Sequence, residues 1–313
     1  MNYREERVKI EGNVTIGATI TRDDKEKSPA IVIVMGTGKL DRDGNGSGLN
    51  LNMYKDLADR FSELGFVTAR YDKRGTHESS GDFSSCGLSD LVDDAISVVQ
   101  YTKSLPYVDE NRVIVCGHSE GTMIATLLSQ KENVAGLILL GGAGTCLKDA
   151  LHYQYVTLDE QSKQKKGLVG MILRRTATLE KSEAKGKKMF DKASVSKNDT
   201  MRIGGVKMSA KWLREHGSYT SEDFVSMLKS YGKPILAITG TADLNADYRN
   251  LDALKNVATI QCYTPEGVNH FLREVDDDNL IFDIKKQYKR LCTKPFHEGT
   301  MDVIISWLRS FES

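Results

Sequence analysis

Three short stretches of this chain carry side chains that could work together as a nucleophile, a base and an acid. The first is Gly117-His118-Ser119-Glu120-Gly121, a G-x-S-x-G run set between a short apolar stretch and a helix-like one. In that setting the pattern predicts a nucleophile elbow, with the serine in a sharp strand-to-helix turn and its hydroxyl raised above the strand ends. The crowded positions two before and two after the serine admit no side chain, which accounts for the glycines. A helix start behind the serine favours negative charge developing near its hydroxyl. Without the strand and helix on either side, the same five residues would be an ordinary turn.

A serine hydroxyl is a poor nucleophile until a base takes its proton. The chain has six histidines. His118 belongs to the elbow and is expected to pack beneath it. His152 and His216 fall in a helical middle region, and His297 comes just before the last helix. His270, in Gly267-Val268-Asn269-His270-Phe271, follows the last strand-like run and so lies at the same sheet edge as Ser119. The base in turn needs an acceptor for its second ring nitrogen. Asp243, in Gly240-Thr241-Ala242-Asp243, sits just past another strand at that edge. Asp247 is the rival, but it stands where a helix should begin and reads better as a surface residue or N-cap. A tetrahedral intermediate also needs two donors aimed at its oxyanion. The backbone N–H of Glu120 is one candidate. Gly36-Thr37-Gly38, after the apolar run 30–35, offers the other: Thr37 N–H first and Gly38 as the alternative, unless the run is a plain glycine turn.

These residues need a frame that brings them to one place. Residues 6–10 and 13–21 read as two strands joined at Gly12-Asn13, and strand-like runs recur at 30–35, 66–71, 112–116, 134–140, 234–239 and 259–264. Helical periodicity fills the gaps, as in Tyr54, Leu57, Ala58, Phe61 and Leu64, and in the helix from Ser89 that Pro106 closes. Strands separated by helices at this rhythm predict an α/β fold with a mostly parallel sheet and helices on both faces. From about 144 to 232 the rhythm changes: apolar residues fall at helical spacing and no strand is expected. Thr220 with Asp223 predicts a helix cap there. A last helical pair of stretches is expected at about 246–256 and 300–311. Residues 1–143 and 233–313 thus form the core, and 144–232 a helical cap inserted into it.

Composition narrows the class of function. The 313 residues include 43 basic and 43 acidic ones, which argues against a nucleic-acid or membrane partner as the main business of the protein. Residues 160–200 do hold a basic excess of about six charges, read as a solvated helix face, with attraction of anionic substrates as the weaker option. The charged N-terminus lacks the apolar core of a signal peptide, and no run approaches the roughly 18 apolar residues that span a bilayer. The five cysteines are scattered, with Cys116 and Cys262 inside strands, and are expected to be buried free thiols. No cluster has metal-ligand spacing. The expectation is a cytoplasmic protein acting on a small molecule without metal or cofactor, alone or as a homo-oligomer.

The segments Gly36-Thr37-Gly38 with Asp41-Arg42-Asp43, Arg70-Tyr71-Asp72-Lys73-Arg74-Gly75 with Ser79-Ser80-Gly81, and the elbow itself resemble the bacterial α/β-hydrolase carboxylesterases related to the serine aminopeptidases. Gly240-x-x-Asp243 and Asn269-His270 continue the resemblance, which covers the core and not the insertion. It implies an eight-stranded core, a helical cap between strands six and seven, and hydrolysis of small acyl esters by Ser119, His270 and Asp243 without a cofactor. The chain order Ser, Asp, His agrees with that fold. Two residues depart from the family pattern. Met35 stands where a histidine is common, and His77 where a glycine usually follows the Arg-Gly pair. Asp72 and Arg74 are expected to pin their turn. Aminopeptidase, thioesterase or amidase chemistry would use the same three residues. A ligand-binding protein that no longer turns over remains the rival from another class, since fold alone does not fix function.

Overall fold

Runs such as Ala30-Ile31-Val32-Ile33-Val34 can be buried on both faces only if helices cover both sides of the sheet they form. The computed structural model, which describes residues 3–24, 27–46 and 48–311, provides that cover. The chain opens with β1 (Arg4–Ile10) and β2 (Ile16–Arg22), an antiparallel pair, followed by β3 (Ser28–Val34). A two-residue ladder, β4 (Asn45–Gly46) with β5 (Leu49–Asn50), leads into α1 (Met53–Glu63). Then come β6 (Val67–Tyr71), α2 (Leu88–Ser104), β7 (Val108–His118), α3 (Glu120–Ser129) and β8 (Gly136–Leu140).

The insertion follows, with α4 (Leu147–Gln164), α5 (Gly167–Thr176), α6 (Leu179–Ser194), β9 (Thr200–Ile203), β10 (Val206–Ser209), α7 (Ala210–His216) and α8 (Ser221–Ser230). The sheet resumes with β11 (Ile235–Ile238) and β12 (Ile260–Tyr263), and α9 (Ile284–Leu291) and α10 (Glu298–Leu308) complete the chain.

The main sheet has eight strands in the order β1-β2-β6-β3-β7-β8-β11-β12. All neighbours from β6 to β12 are parallel, and β1 and β2 are antiparallel. Alternate residues divide the core between its two faces. Ile31, Ile33, Ile114, Cys116, Ile138 and Leu140 share one cluster with Leu57 and Phe61 of α1 and Ile304 and Leu308 of α10. Val32, Val34, Val115, Leu137 and Leu139 share the other with Leu91, Val98 and Val99 of α2 and Ile124 and Leu128 of α3. Register brings the strand ends level: Val34 pairs with Gly117, His118 with Leu140, and Leu140 with Ile238. Loops leaving these ends therefore converge on one rim.

Three sequence expectations need correcting. Between 144 and 232, where no strand was expected, β9 and β10 form a hairpin across Gly204 and Gly205, both at positive φ (56° and 82°). A Gly-Gly pair between short β-prone runs is a hairpin signal that helical periodicity on either side obscures. The helix expected at 246–256 is only a 3₁₀ turn, Tyr248–Ala253, and α9 is an unforeseen helix. Cys262 is half-buried, one residue from the end of an edge strand, whereas Cys116 in the sheet centre is fully buried. Thr220 and Asp223 do form the expected capping box.

Candidate active site

β7 runs into α3 without a connecting loop, so Ser119 must turn the chain within one residue. It does so at φ 56° and ψ −121°, a conformation that costs an ordinary residue about 1–3 kcal/mol. Its amide donates to Leu140 O at 2.8 Å. The flanking glycines permit the turn. A Cβ on Gly117 would lie 2.2 Å from Gly121 O, and one on Gly121 would lie 2.1 Å from Val34 O. The Ser119 hydroxyl makes no hydrogen bond among the described residues and faces a cavity of about 450 Å³, which His270 also lines.

His270 and Asp243 leave the sheet at the same rim. The Nδ1 of His270 donates to Asp243 Oδ2 at 2.7 Å, and both side chains are buried. The other carboxylate oxygen accepts the amides of Asn245 (2.7 Å) and Ala246 (3.0 Å), which hold Asp243 in place. With Nδ1 spent as a donor, Nε2 of a neutral His270 keeps a free lone pair. Asp247 caps the 3₁₀ turn by accepting from Arg249 N and does not approach His270. Helix α4 braces this loop: Tyr153 OH donates to Asp243 O at 2.9 Å, and Gln154 to Asn245 O at 3.1 Å.

Beneath the elbow lies a relay that the sequence did not foreshadow. The Gly36 amide donates to Tyr54 OH at 2.8 Å, and that hydroxyl lies 3.0 Å from His118 Nδ1. His118 Nε2 lies 2.9 Å from the carbonyl of His270. One assignment satisfies every atom: Tyr54 donates to Nδ1, and Nε2–H donates to the carbonyl. Burial, and then the neighbouring His270 ring, push the His118 pKa well below its usual value, so this ring is held neutral. The Gly36–Gly38 loop, the elbow and the His270 loop are thereby tied together.

A buried ion pair provides the second tie. Lys73 Nζ lies 2.6 Å from Glu120 Oε2 and 2.6 Å from Gly36 O, both side chains being 3% exposed. Trp212 Nε1 (2.5 Å) and His216 Nε2 (3.2 Å) of α7 contact the remaining Glu120 oxygen. Burial alone would raise the Glu120 pKa, but the Lys73 charge and His216 hold it far below the usual carboxylate range. Gly36 O belongs to the peptide whose N–H is that of Thr37. In a planar trans peptide the two groups point in opposite directions, so an ammonium on the carbonyl polarises the N–H and aims it away from Lys73. Neither the Thr37 nor the Glu120 amide has an intramolecular acceptor among the described residues. Thr37, Glu120, Ser119 and His270 all line the same cavity.

The two departures from the family pattern have structural explanations. Met35 is buried in the core and is absent from the cavity lining. His77 is exposed at φ 45°, a left-handed position where glycine is the easier fit. Asp72 and Arg74 do pin their segment, through partners distant in sequence: Arg42 at 2.5 Å and Asp94 at 2.6 Å. Among the described residues there is no cluster of side chains able to hold a metal ion.

Comparison with known proteins agrees with this architecture. Esterase EstD of Thermotoga maritima is 28% identical over 157 residues, which is 50% of this chain and 36% of that protein. The chain thus matches little more than a third of that relative's length. Est1E from Butyrivibrio proteoclasticus, solved with ferulic acid bound, superposes with a TM-score of 0.57 at 19% identity, covering 90% of this chain and 96% of that one. The Pyrococcus furiosus esterase Pf2001 gives 0.57 at 12% identity, over 100% and 94% of the two chains. At such identities these two structures speak for the fold, which is that of the α/β hydrolases. The family model described as serine aminopeptidase, S33 matches residues 45–271, more than half of the chain. The chain is therefore a member of the S33 serine aminopeptidase family of α/β hydrolases.

Proposed function

We propose that this protein hydrolyses small carboxylic esters, with Ser119 as nucleophile, His270 as general base and acid, and Asp243 as the group that orients His270. The carrying observation is the buried His270–Asp243 pair at 2.7 Å, bordering the cavity into which the strained Ser119 turns. Ser119 Oγ attacks the ester carbonyl while its proton passes to His270 Nε2. The imidazolium, steadied by Asp243, returns that proton to the departing alkoxide. Water then attacks the acyl-enzyme with His270 again as base, and the carboxylic acid leaves. The serine hydroxyl must turn toward Nε2 once substrate is bound, since catalytic hydrogen bonds are often open in free enzymes.

Thr37 and Glu120 amides are the oxyanion donors in this reading, each worth about 2.7–4 kcal/mol in comparable sites. Lys73 supports both by holding the Gly36–Thr37 peptide and neutralising Glu120. The insertion acts as a cap: Leu147 and Leu151 of α4 and Trp212 of α7 form part of the cavity wall. A second cavity of about 270 Å³ shares Thr37, Glu120 and Trp212 with the first, which leaves room for the acyl and alcohol parts on either side of the oxyanion donors.

An aminopeptidase would need a carboxylate free to hold the substrate's α-ammonium. Glu120 is the one carboxylate among the described residues lining the larger cavity, and Lys73, Trp212 and His216 already occupy it. Ester cleavage is favoured on that ground. The test is Ser119→Ala assayed on a short-chain aryl ester, with peptide anilides alongside. Turnover should vanish. Undiminished turnover removes Ser119 from the mechanism, and faster cleavage of the anilides by the unaltered protein replaces the ester with an amide.

A further inference from the structure

Helix α5 presents the wrong face to solvent. Leu168, Val169, Met171 and Ile172 are 68%, 55%, 47% and 50% exposed. The side turned inward carries Gly170 and the half-buried Leu173. A Cβ on Gly170 would lie 1.8 Å from Lys165 O, and Arg174 reaches the carbonyls of Lys165 and Ser162. Soluble proteins scatter exposed apolar residues singly, and a contiguous patch of this kind marks a contact surface.

The charges around the patch say which kind of surface. Lys163, Lys165 and Lys166 precede α5, Arg174 and Arg175 end it, and residues 161–176 contain no carboxylate. Lys163 is paired with Asp159 at 2.6 Å. Among the described residues, the other four have no carboxylate partner, and Lys165 lies over the ring of Phe282. An apolar helix face bordered by unneutralised cations is complementary to acyl chains bordered by anionic headgroups. A second copy of this chain suits it poorly. Antiparallel pairing through α5 would set Lys165 and Lys166 against Arg174 and Arg175, and parallel pairing would set each cluster against itself.

We propose that α5 and its basic flanks dock the protein on the surface of an anionic lipid bilayer. The helix has ten residues, about 15 Å in length, and lies in the interface rather than crossing it. Among the described residues, no helix is long and apolar enough to span a membrane. The balanced charge of the whole chain conceals this site, because the excess is local. Gly167, at φ 78°, turns α5 off the end of α4, whose Leu147 and Leu151 line the cavity. The docking helix and the cavity wall thus belong to one insertion. The docking reading concerns the surface alone and is independent of the ester reading.

Co-sedimentation of the full chain with vesicles tests it. One set is phosphatidylcholine alone, and the other carries about a quarter phosphatidylglycerol. The protein should partition onto the anionic vesicles at least about tenfold more than onto the neutral ones, and less so as salt is raised. Leu168→Ser with Ile172→Ser, and separately Lys166→Gln with Arg175→Gln, should each reduce binding about tenfold. Both variants should hydrolyse a water-soluble ester at the unaltered rate. Protein that stays in solution with anionic vesicles overturns the proposal, as do variants that bind undiminished. A dimer in light scattering that L168S/I172S converts to monomer also overturns it, since a second copy would then cover the face.

Discussion

Removing the Lys73 ammonium should slow the chemical step while leaving substrate binding nearly unchanged. Its Nζ lies 2.6 Å from Gly36 O. Adding the width of the peptide and one donor contact places the charge about 7 Å from an oxyanion held by Thr37 N–H. At an effective dielectric of about 20, a unit charge at that distance contributes about 2 kcal/mol, or about thirtyfold in kcat. Lys73→Met removes this attraction and also leaves the Glu120 carboxylate buried without its cation. Breaking such a pair from one side typically costs about 3–5 kcal/mol of stability. K73M/E120Q is therefore the companion variant. Removing the carboxylate's opposing field along with the ammonium should limit the loss to about tenfold in kcat. The assay is steady-state hydrolysis of a soluble aryl ester, paired with the affinity of a trifluoromethyl ketone, whose serine adduct carries the oxyanion. Both should fall together, with KM within about twofold. Folded variants of unaltered kcat and ketone affinity would refute the polarised peptide while leaving the three reacting side chains in place.

Three further outcomes follow from the same geometry. Gly121→Ala places a Cβ 2.1 Å from Val34 O, where backbone on both sides blocks relief, so the urea midpoint should fall by the equivalent of about 3 kcal/mol; an unshifted midpoint contradicts the packing of the elbow. Asp243→Asn should lower kcat by about 10⁴ with little change in KM, because an amide can favour the wrong His270 tautomer; a loss of tenfold or less assigns the acid elsewhere. Stability should also fall with acid. Folded His118 stays neutral while an unfolded histidine gains a proton below about pH 6.5, so the unfolded state binds more protons there and stability is lost as pH drops. Glu120, held low when folded, adds a loss of the same sign once pH passes below the ordinary carboxylate value; urea midpoints flat from about pH 7 to 5 would contradict the His118 assignment, and midpoints flat from about pH 4.5 to 3 the Glu120 one.

The parts of this molecule that were legible in its sequence are those where local backbone demands pick the residue. The elbow needs glycine on either side of Ser119, and the level strand ends put whatever follows each strand at the rim, which is how His270 and Asp243 stand out. The supporting contacts left no such trace. Tyr54 and His118 meet across 64 positions, and Lys73 and Glu120 across 47. The sequence places His118 beneath the elbow and Glu120 directly after the serine, but only the fold makes Tyr54 and Lys73 their partners. The β9–β10 hairpin leaves little trace in the sequence because its strands are four residues each, flanked by helices whose periodicity dominates any longer window. The apolar residues of α5 were visible as helical spacing, but spacing alone does not say which face is covered.

Reaction with a fluorophosphonate, followed by mass mapping, bears most directly on whether Ser119 is activated by His270. The unaltered protein should carry the adduct on Ser119 within minutes, and His270→Ala should lose that labelling. An adduct on another residue, or equal labelling of Ser119 without the imidazole, would contradict the account.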